Sequence, residues 1–389
     1  ALDWVTPPRQ MNATSFFYAH TDQWRYEKLG VDEILSPLAD PKAFGGSMID
    51  YNVRAERMGW LPSAPQLQAN SLHLARDAAA AGLSAKDHVV NGLKSGSLHM
   101  SCEDPDNPVN WPRNMFVWRS NLLGASGKGS EYFLKHLLGA NNGVLGSELG
   151  PDDPRPHEVQ WREDAPEGKL DLLVTLDFRM SSTGLFSDVL LPAATWYEKN
   201  DLNTTDMHTF IHPLSAAVDP SWEARSDWEI FKGIASKFSE VCVGHLGVER
   251  DVVLTPLMHD SAAELGQGLE VRDWKRGEVE LIPGKTAPNI TEVQRDYPHV
   301  SQCFTSLGPR MDKPDGGHGH GISWDAREEV QALGALNGRV SESGPAEGRP
   351  RILSDIDATE MVMMLSPETN GNVSAKAWAA LSKKTGLNL

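Results

Sequence analysis

The chain has 389 residues, 40% hydrophobic and 23% charged, which is enough apolar material for two or three domain-sized cores. A formal net charge of −17 excludes phosphate-backbone binding by bulk charge and weighs against an anionic membrane surface as a direct partner. Three scattered cysteines, Cys102, Cys242 and Cys303, form no CxxC-type pair, so a zinc or iron–sulfur site within the chain is not expected and a reducing compartment is.

No apolar run reaches the roughly 18–20 residues of a transmembrane helix. The opening Ala1-Leu2-Asp3-Trp4-Val5 has no basic n-region or cleavage pattern and does not begin with Met, so it reads as the interior of a longer polypeptide. Residues 1–70 are rich in aromatics and prolines, among them Trp4, Phe16, Phe17, Trp24, Trp60, Pro62 and Pro65, and predict loops packed on a larger body. Residues 71–95 are Ala- and Leu-rich and predict helix, broken near Gly82. Residues 101–113, with three prolines, predict a long turn or linker.

The pattern then changes. Met115 to Trp118 is a short apolar run expected of a buried strand, followed by a polar, Gly-rich loop from Arg119 to Gly129 and a helix over 130–138 that Gly139 ends. Strand, loop and helix make half of a βαβ unit. Leu170 to Leu176 is the strongest buried strand in the chain, with the polar loop 177–183 at its end, and Asp188 to Pro192 gives a further strand stopped by proline. Apolar positions Trp228, Phe231, Ile234, Ala235 and Phe238 have helical spacing. Beyond 245 the signal weakens. Residues 312–324 and 341–350 read as flexible, and 353–365 and 373–383 as helices.

Several motifs carry chemistry. Gly124, Gly127 and Gly129 fall in the order GxxGxG rather than GxGxxG, and Lys128 is not in a P-loop context, so phosphate binding and an ordinary βα loop both stay open for 118–129. Gly284-Lys285-Thr286 resembles the end of a Walker A motif, but Val279 stands where the first glycine belongs, so it is rejected. Asp177, at a strand end, is placed to accept hydrogen bonds from a ribose or a guanine edge, with Arg179 to pair with a phosphate and Ser181, Ser182 and Thr183 as donors. Its alternative role is a helix cap. His208 and His212 are four apart, and His318 and His320 lie in a glycine loop. Thr204-Thr205-Asp206 and Pro213 argue against a helix that would make the first pair a chelate, and HExxH is absent, so no metal site is expected. GxSxG is absent as well.

Three segments, LDLLVTLDFRMSST (170–183), SDVLLPAATWYEKND (187–201) and LNTTDMHTFIHPLSAAVDP (202–220), resemble the molybdopterin-dependent oxidoreductase family, and within it the catalytic subunits of membrane-bound respiratory nitrate reductases. NVRAERMGWLPSAPQ (52–66), WRSNLLGASGKG (118–129), VCVGHLG (241–247), IPGKTAP (282–288) and PETNGNVSAKAWAAL (367–381) fit the same pattern in the same order. The resemblance implies an α/β fold: the Rossmann-like open-sheet portion of an oxidoreductase of the dimethyl-sulfoxide-reductase type, with extra loops and helices. It divides the chain into a segment 1–105 packed on the catalytic body, a guanine-dinucleotide-binding part 106–245, and a helical and loop extension 246–389.

The resemblance also implies two molybdopterin guanine dinucleotides per molybdenum and oxygen-atom transfer from nitrate. Electrons would come from an iron–sulfur beta subunit and a membrane haem subunit, at the cytoplasmic face of the membrane. Carried over to this chain, Arg119, Ser120, Asn121 and Leu122 match one dinucleotide contact, and Thr175, Asp177, Phe178 and Arg179 a second, with Ser182 and Asp188 beside it. Trp196, Lys199 and Asp201 match the segment returning toward the pterin, where a cation neutralises phosphate charge, and His208 lies in a stretch near the cofactor. The iron–sulfur site and the molybdenum ligand of the family have no counterpart here, so no residue is expected to be catalytic or to bind the metal. Three rival readings remain. A nicotinamide-dependent oxidoreductase requires the GxGxxG order that is missing. A cofactor-free binding or assembly protein would use the same fold, and a reductase of selenate or chlorate would share most of these motifs.

Overall fold

The computed structural model describes residues 30–31, 36–38, 40, 45–60, 66–125, 130–140, 151–152, 155–205, 207–257, 272–319 and 321–389. The expectations for Trp4 to Trp24, Pro62, Pro65, Gly127, Lys128, Gly129 and His320 lie outside them. Helices α1 (Met48–Arg57), α2 (Ser71–Ala80) and α3 (Ala85–Ser95) come first. Strands β1 (Asn114–Trp118), β2 (Leu172–Asp177) and β3 (Val189–Pro192) follow, then a hairpin of β4 (Asp201–Thr205) and β5 (His208–Leu214), then α4 (Asp227–Val241). Next come β6 (Val248–Thr255), β7 (Asn289–Asp296), β8 (Gly317–Gly319), β9 (Ile322–Trp324), α5 (Arg327–Asn337), α6 (Asp355–Leu365) and α7 (Gly371–Thr385).

The strands β1, β2 and β3 form a parallel sheet in that order, with Trp118 beside Leu176 and Asp177 beside Pro192. Two parallel neighbours require a crossover, and the segment between β1 and β2 supplies it with a helical stretch whose Tyr132–Leu137 turns are π-type. Leu173 packs on that stretch, in one core with Val117, Tyr132, Phe133 and Leu137. Val174 and Leu176 point the other way, onto Ala193 and the Ile230 and Phe231 face of α4. Helices on both faces explain why β2 reads as an unbroken apolar run rather than an alternating one. Each of these buried aliphatic side chains contributes about 1.5–3 kcal/mol. The mixed α/β expectation therefore holds, with small sheets. Among the described residues the parallel sheet has three strands.

A second core joins α1, α2 and α3 to the antiparallel pair β6 and β7, with Ile49, Val53, Leu74, Val89, Cys102, Val252 and Leu254 inside it. A third joins α5, α6 and α7 to the hairpin β8–β9 through Leu307, Trp324, Leu333, Ile352 and Val373. The expected boundaries at 105 and 245 are crossed by these cores, because β6 and β7 complete the core of the first helices. The helix expected over 71–95 is two helices, with the break where Gly82 lies. The stretch 312–324, read as flexible from its glycines, contains β8 and β9. Gly317 is required there because a Cβ at that position would lie 2.3 Å from the Trp324 indole nitrogen. Among the described residues no helix is long and apolar enough to cross a membrane.

The second core is locked by Arg57, whose side chain is fully buried. Its Nε donates to Asp273 Oδ2 at 2.9 Å, and its terminal nitrogens meet Glu103 at 3.0 Å, Asp273 at 2.6 Å, and Glu158. One guanidinium thus ties α1 to the 103 turn, the 158 loop and the turn before β7. Arg57 is the cation that touches all three carboxylates among the described residues, with Lys275 reinforcing Glu103 at 2.9 Å. Arg57→Met is expected to destabilise the protein by about 3–5 kcal/mol, because it strands buried carboxylates, and equilibrium denaturation checks this.

Candidate functional site

In open parallel sheets a ligand site forms beyond the carboxyl ends of the strands. At the end of β1, Arg119 turns into the left-handed region with φ of 53°, unusual for a side chain with a Cβ and a strain of the order of 1 kcal/mol. Its backbone N–H still donates to Leu176 O at 2.8 Å, so the turn happens against β2. The guanidinium is what holds this turn. Nε donates to Asp227 Oδ1 at 2.9 Å, and a terminal nitrogen donates to Asp227 Oδ2 at 2.7 Å and to Ala194 O at 2.8 Å.

Asp227 reaches the sheet because Arg225 forms a parallel bridge with Ala193 at the end of β3, after which Ser226 caps α4. The Ser226 hydroxyl accepts from Glu229 N at 3.3 Å. Besides Arg119, Asp227 accepts from the Trp118 indole N–H at 2.8 Å and from Lys199 Nζ at 2.9 Å. Lys199 also meets Asp201 at 2.6 Å. Burial pushes the Asp227 carboxyl up, but the hydrogen bonds from Arg119, Trp118 and Lys199 outweigh it and hold it down at about 2. The helix N-terminus favours the same ionised state.

The loops after β1 and β2 are joined directly. Asn121 Oδ1 accepts from Thr183 N at 3.2 Å and from its hydroxyl at 3.1 Å, while Thr183 Oγ1 accepts from Leu123 N at 3.0 Å. Gly124 allows this approach: a Cβ there would lie 2.5 Å from Asn121 Nδ2 and 2.8 Å from Ser182 Oγ. Asp177 is buried at the end of β2 and accepts from Phe178 N at 2.8 Å. The Phe178 ring has the Arg119 guanidinium 5.6 Å from its centroid, the Arg179 guanidinium at 4.8 Å and the Trp196 ring at 5.5 Å. The Trp196 turn is fixed by Glu198, whose carboxylate accepts from Thr195 N and from Ser221. These bonds, the Thr195 backbone first, hold its pKa below the usual carboxylate range.

The sequence-named residues thus divide. Arg119, Ser120, Asn121, Leu122, Asp177, Phe178, Arg179, Ser182, Trp196 and Lys199 gather at the carboxyl end of the sheet, with Ser120, Asn121, Arg179, Ser182 and Trp196 exposed as its fringe. Asp201 joins through Lys199. Thr175 lies inside β2, fully buried, with its hydroxyl on Ser187. Asp188 sits at the opposite end of the sheet, where its carboxylate accepts from Leu173 N at 2.8 Å. Arg119 and Lys199 are already paired with Asp227 and Asp201, whereas Arg179 faces outward on the fringe and among the described residues makes no ion pair. Asp227 itself was not anticipated. Ser226-Asp227-x-Glu229 signals a helix start, but nothing local says that its carboxylate turns to the sheet.

Asp227→Asn is expected to cost about 3 kcal/mol, since Arg119 and Lys199 lose their shared counter-ion. Wild-type stability carries an acid signature. A carboxyl held at about 2 instead of 3.8 stabilises the fold fully above its unfolded value and loses that contribution as pH falls through about 2. This amounts to about 2 kcal/mol. Denaturation measured from pH 6 to pH 2 is expected to show that loss in wild type and a smaller one in the variant.

The family described as "Molybdopterin oxidoreductase" matches residues 46–237, and "Nitrate reductase alpha chain, domain V" matches residues 315–389. The chain is 64% identical over 387 residues to the respiratory nitrate reductase 2 alpha chain of Escherichia coli (strain K12), covering 99% of this chain and 31% of that one. It is 47% identical over 397 residues to the nitrate reductase alpha chain of Bacillus subtilis (strain 168), covering 100% of this chain and 32% of that one. To the perchlorate reductase subunit alpha of Dechloromonas aromatica (strain RCB) it is 48% identical over 139 residues, 36% of this chain and 12% of that one. The chain therefore spans about a third of the length of the nitrate reductase relatives it matches. By these matches, which take in the sheet, the fringe loops and the last helices alike, the chain belongs to the molybdopterin oxidoreductase family.

Proposed function

We propose that this chain is part of the catalytic subunit of a molybdenum-dependent respiratory nitrate reductase, and that its three parallel strands belong to a Rossmann-like sheet seating molybdopterin guanine dinucleotide. The observation that carries the reading is the 64% identity to a respiratory nitrate reductase alpha chain over 99% of this chain. The residues present suit the tail of such a cofactor. Gly124 lets the Asn121 and Ser182 side chains close in where a Cβ would collide with them, and Asn121 and Thr183 clamp two loops that present Ser120, Ser182 and Arg179 outward. When bound, the cofactor supplies the oxygen-atom transfer that turns nitrate into nitrite.

The chain's own groups bind and orient. The Arg179 guanidinium pairs with a phosphate, Ser120, Asn121 and Ser182 give hydrogen bonds, and the Asp177 carboxylate accepts from a guanine edge. Phe178 and Trp196 offer ring faces. Arg119, Lys199 and Asp227 keep the loops in place from beneath, and Asp201 steadies Lys199. The reading carries further partners with it: an iron–sulfur cluster of the full subunit outside this chain, an iron–sulfur beta subunit, a membrane haem subunit, and a place at the cytoplasmic face of the membrane. A second reading, reduction of a related oxyanion such as chlorate or selenate, is favoured by the 48% identity to a perchlorate reductase subunit. Relative turnover of nitrate, chlorate and selenate by the full enzyme separates the two.

The direct test is molybdenum and acid-released GMP in the purified full-length protein. About two GMP per molybdenum are expected in wild type. Arg179→Ala and Asp177→Asn are each expected to lower both contents together, roughly threefold or more. Molybdenum and GMP at wild-type levels in both variants contradict the seat, and a wild type lacking both contradicts the enzyme.

A further inference from the structure

We infer that the exposed hairpin β4–β5 carries a site for a divalent first-row transition ion, Zn2+, Ni2+ or Cu2+, held by the imidazoles of His208 and His212. The strand is irregular between them: His208 stands opposite Thr205 and His212 opposite Asn203, so four residues of β5 face two of β4. This brings the side chains together, with ring centroids 5.1 Å apart and planes at 89°. Two imidazoles sharing one tetrahedral ion at about 2.0–2.1 Å per nitrogen have centroids about 5 Å apart. The centroid separation thus matches that of a chelating pair, and a ring rotation is what turns the nitrogens toward one ion. Phe210, on the same face of the strand, steadies it, with its ring centroid 5.8 Å from His208 and 6.3 Å from His212. The sequence argument against a helix here is right, since the pair lies on a strand, but a chelate needs converging rings and not a helix.

Access and cost both favour the ion. On this chain both histidines are exposed, and Phe210 and Met207 beside them are 66% and 89% exposed, so no core of this chain has to open for an ion to reach the rings. His208 Nδ1 accepts from Phe210 N–H at 3.2 Å. That bond is long and open to water, and coordination through Nδ1 forfeits little. Among the described residues no third histidine, cysteine or carboxylate completes a set of three, so water fills the remaining positions. Such an open two-nitrogen site exchanges its ion readily, and the general order of affinities makes Cu2+ the tightest of the three. The hairpin is rooted at Asp201, which pairs with Lys199, so the ion would sit on an arm of the candidate site without using its residues.

The test uses the full-length protein and Cu2+ alone as probe, followed by electron paramagnetic resonance, together with anomalous diffraction from Zn2+-soaked crystals. His208→Gln and His212→Gln are surface changes and are expected to leave the Tm within about 2 °C of wild type. Each is expected to weaken one copper site roughly tenfold or more. The double variant is expected to lose one equivalent of copper and the anomalous peak between the rings. His318→Gln serves as control and is expected to change neither. The inference is overturned if the double variant binds as many copper ions as tightly as wild type, or if the anomalous peaks lie only elsewhere.

Discussion

The geometry of the candidate site depends on one buried carboxylate. Asp227 collects four hydrogen bonds, from Trp118, Arg119 twice and Lys199, and so fastens β1, the 196–199 turn and the start of α4 to a single point. Without it the left-handed turn at Arg119 would have no reason to persist, because a residue with a Cβ leaves that conformation unless contacts hold it. The loops above inherit their positions from this point. Asn121 and Thr183 meet because β1 and β2 end side by side and turn the same way. An arrangement fixed from beneath leaves the outer fringe free to meet a ligand with little to reorganise.

A second knot of the same chemistry lies far from the sheet. Arg57 gathers Glu103, Glu158 and Asp273, which are distant in sequence, around one guanidinium. Buried ion pairs of this kind add little net stability over apolar packing, and their value lies in excluding other arrangements. Here the excluded arrangements are those in which β6 and β7 part from the first helices. The two knots share a design: an arginine or aspartate on a helix collects partners from loops that carry few apolar residues of their own. Loops rich in Gly, Pro and Asp cannot be held by hydrophobic burial, so charge holds them.

How much of this was legible in the sequence follows from which forces are local. The strands β1, β2 and β3 and the helices α4, α6 and α7 could be read because apolar periodicity and proline stops are written along the chain. The placement of Arg119, Asn121, Asp177 and Arg179 at the carboxyl ends of β1 and β2 could be read because the strands themselves could. Asp227 could not, since its partners stand 28 and 108 residues away. Nor could the pairing of β6 with β7, since β6 sets a charged run before an apolar one, β7 is largely polar, and both find their core against helices far away in sequence. The hairpin of β4 and β5 escaped notice for another reason: its residues are largely exposed, so no apolar pattern marks it.

The central claim is that the carboxyl edge of this sheet is a ligand seat preformed by Asp227. Hydrogen exchange on the full-length protein, prepared with and without its molybdenum cofactor, tests it most directly. The account predicts that amides of 119–125 and 178–185 become protected on loading, while those at the start of α4 are protected equally in both forms. Unchanged exchange in both loops would contradict the seat. An α4 start that exchanges freely until the cofactor arrives would contradict its preformation.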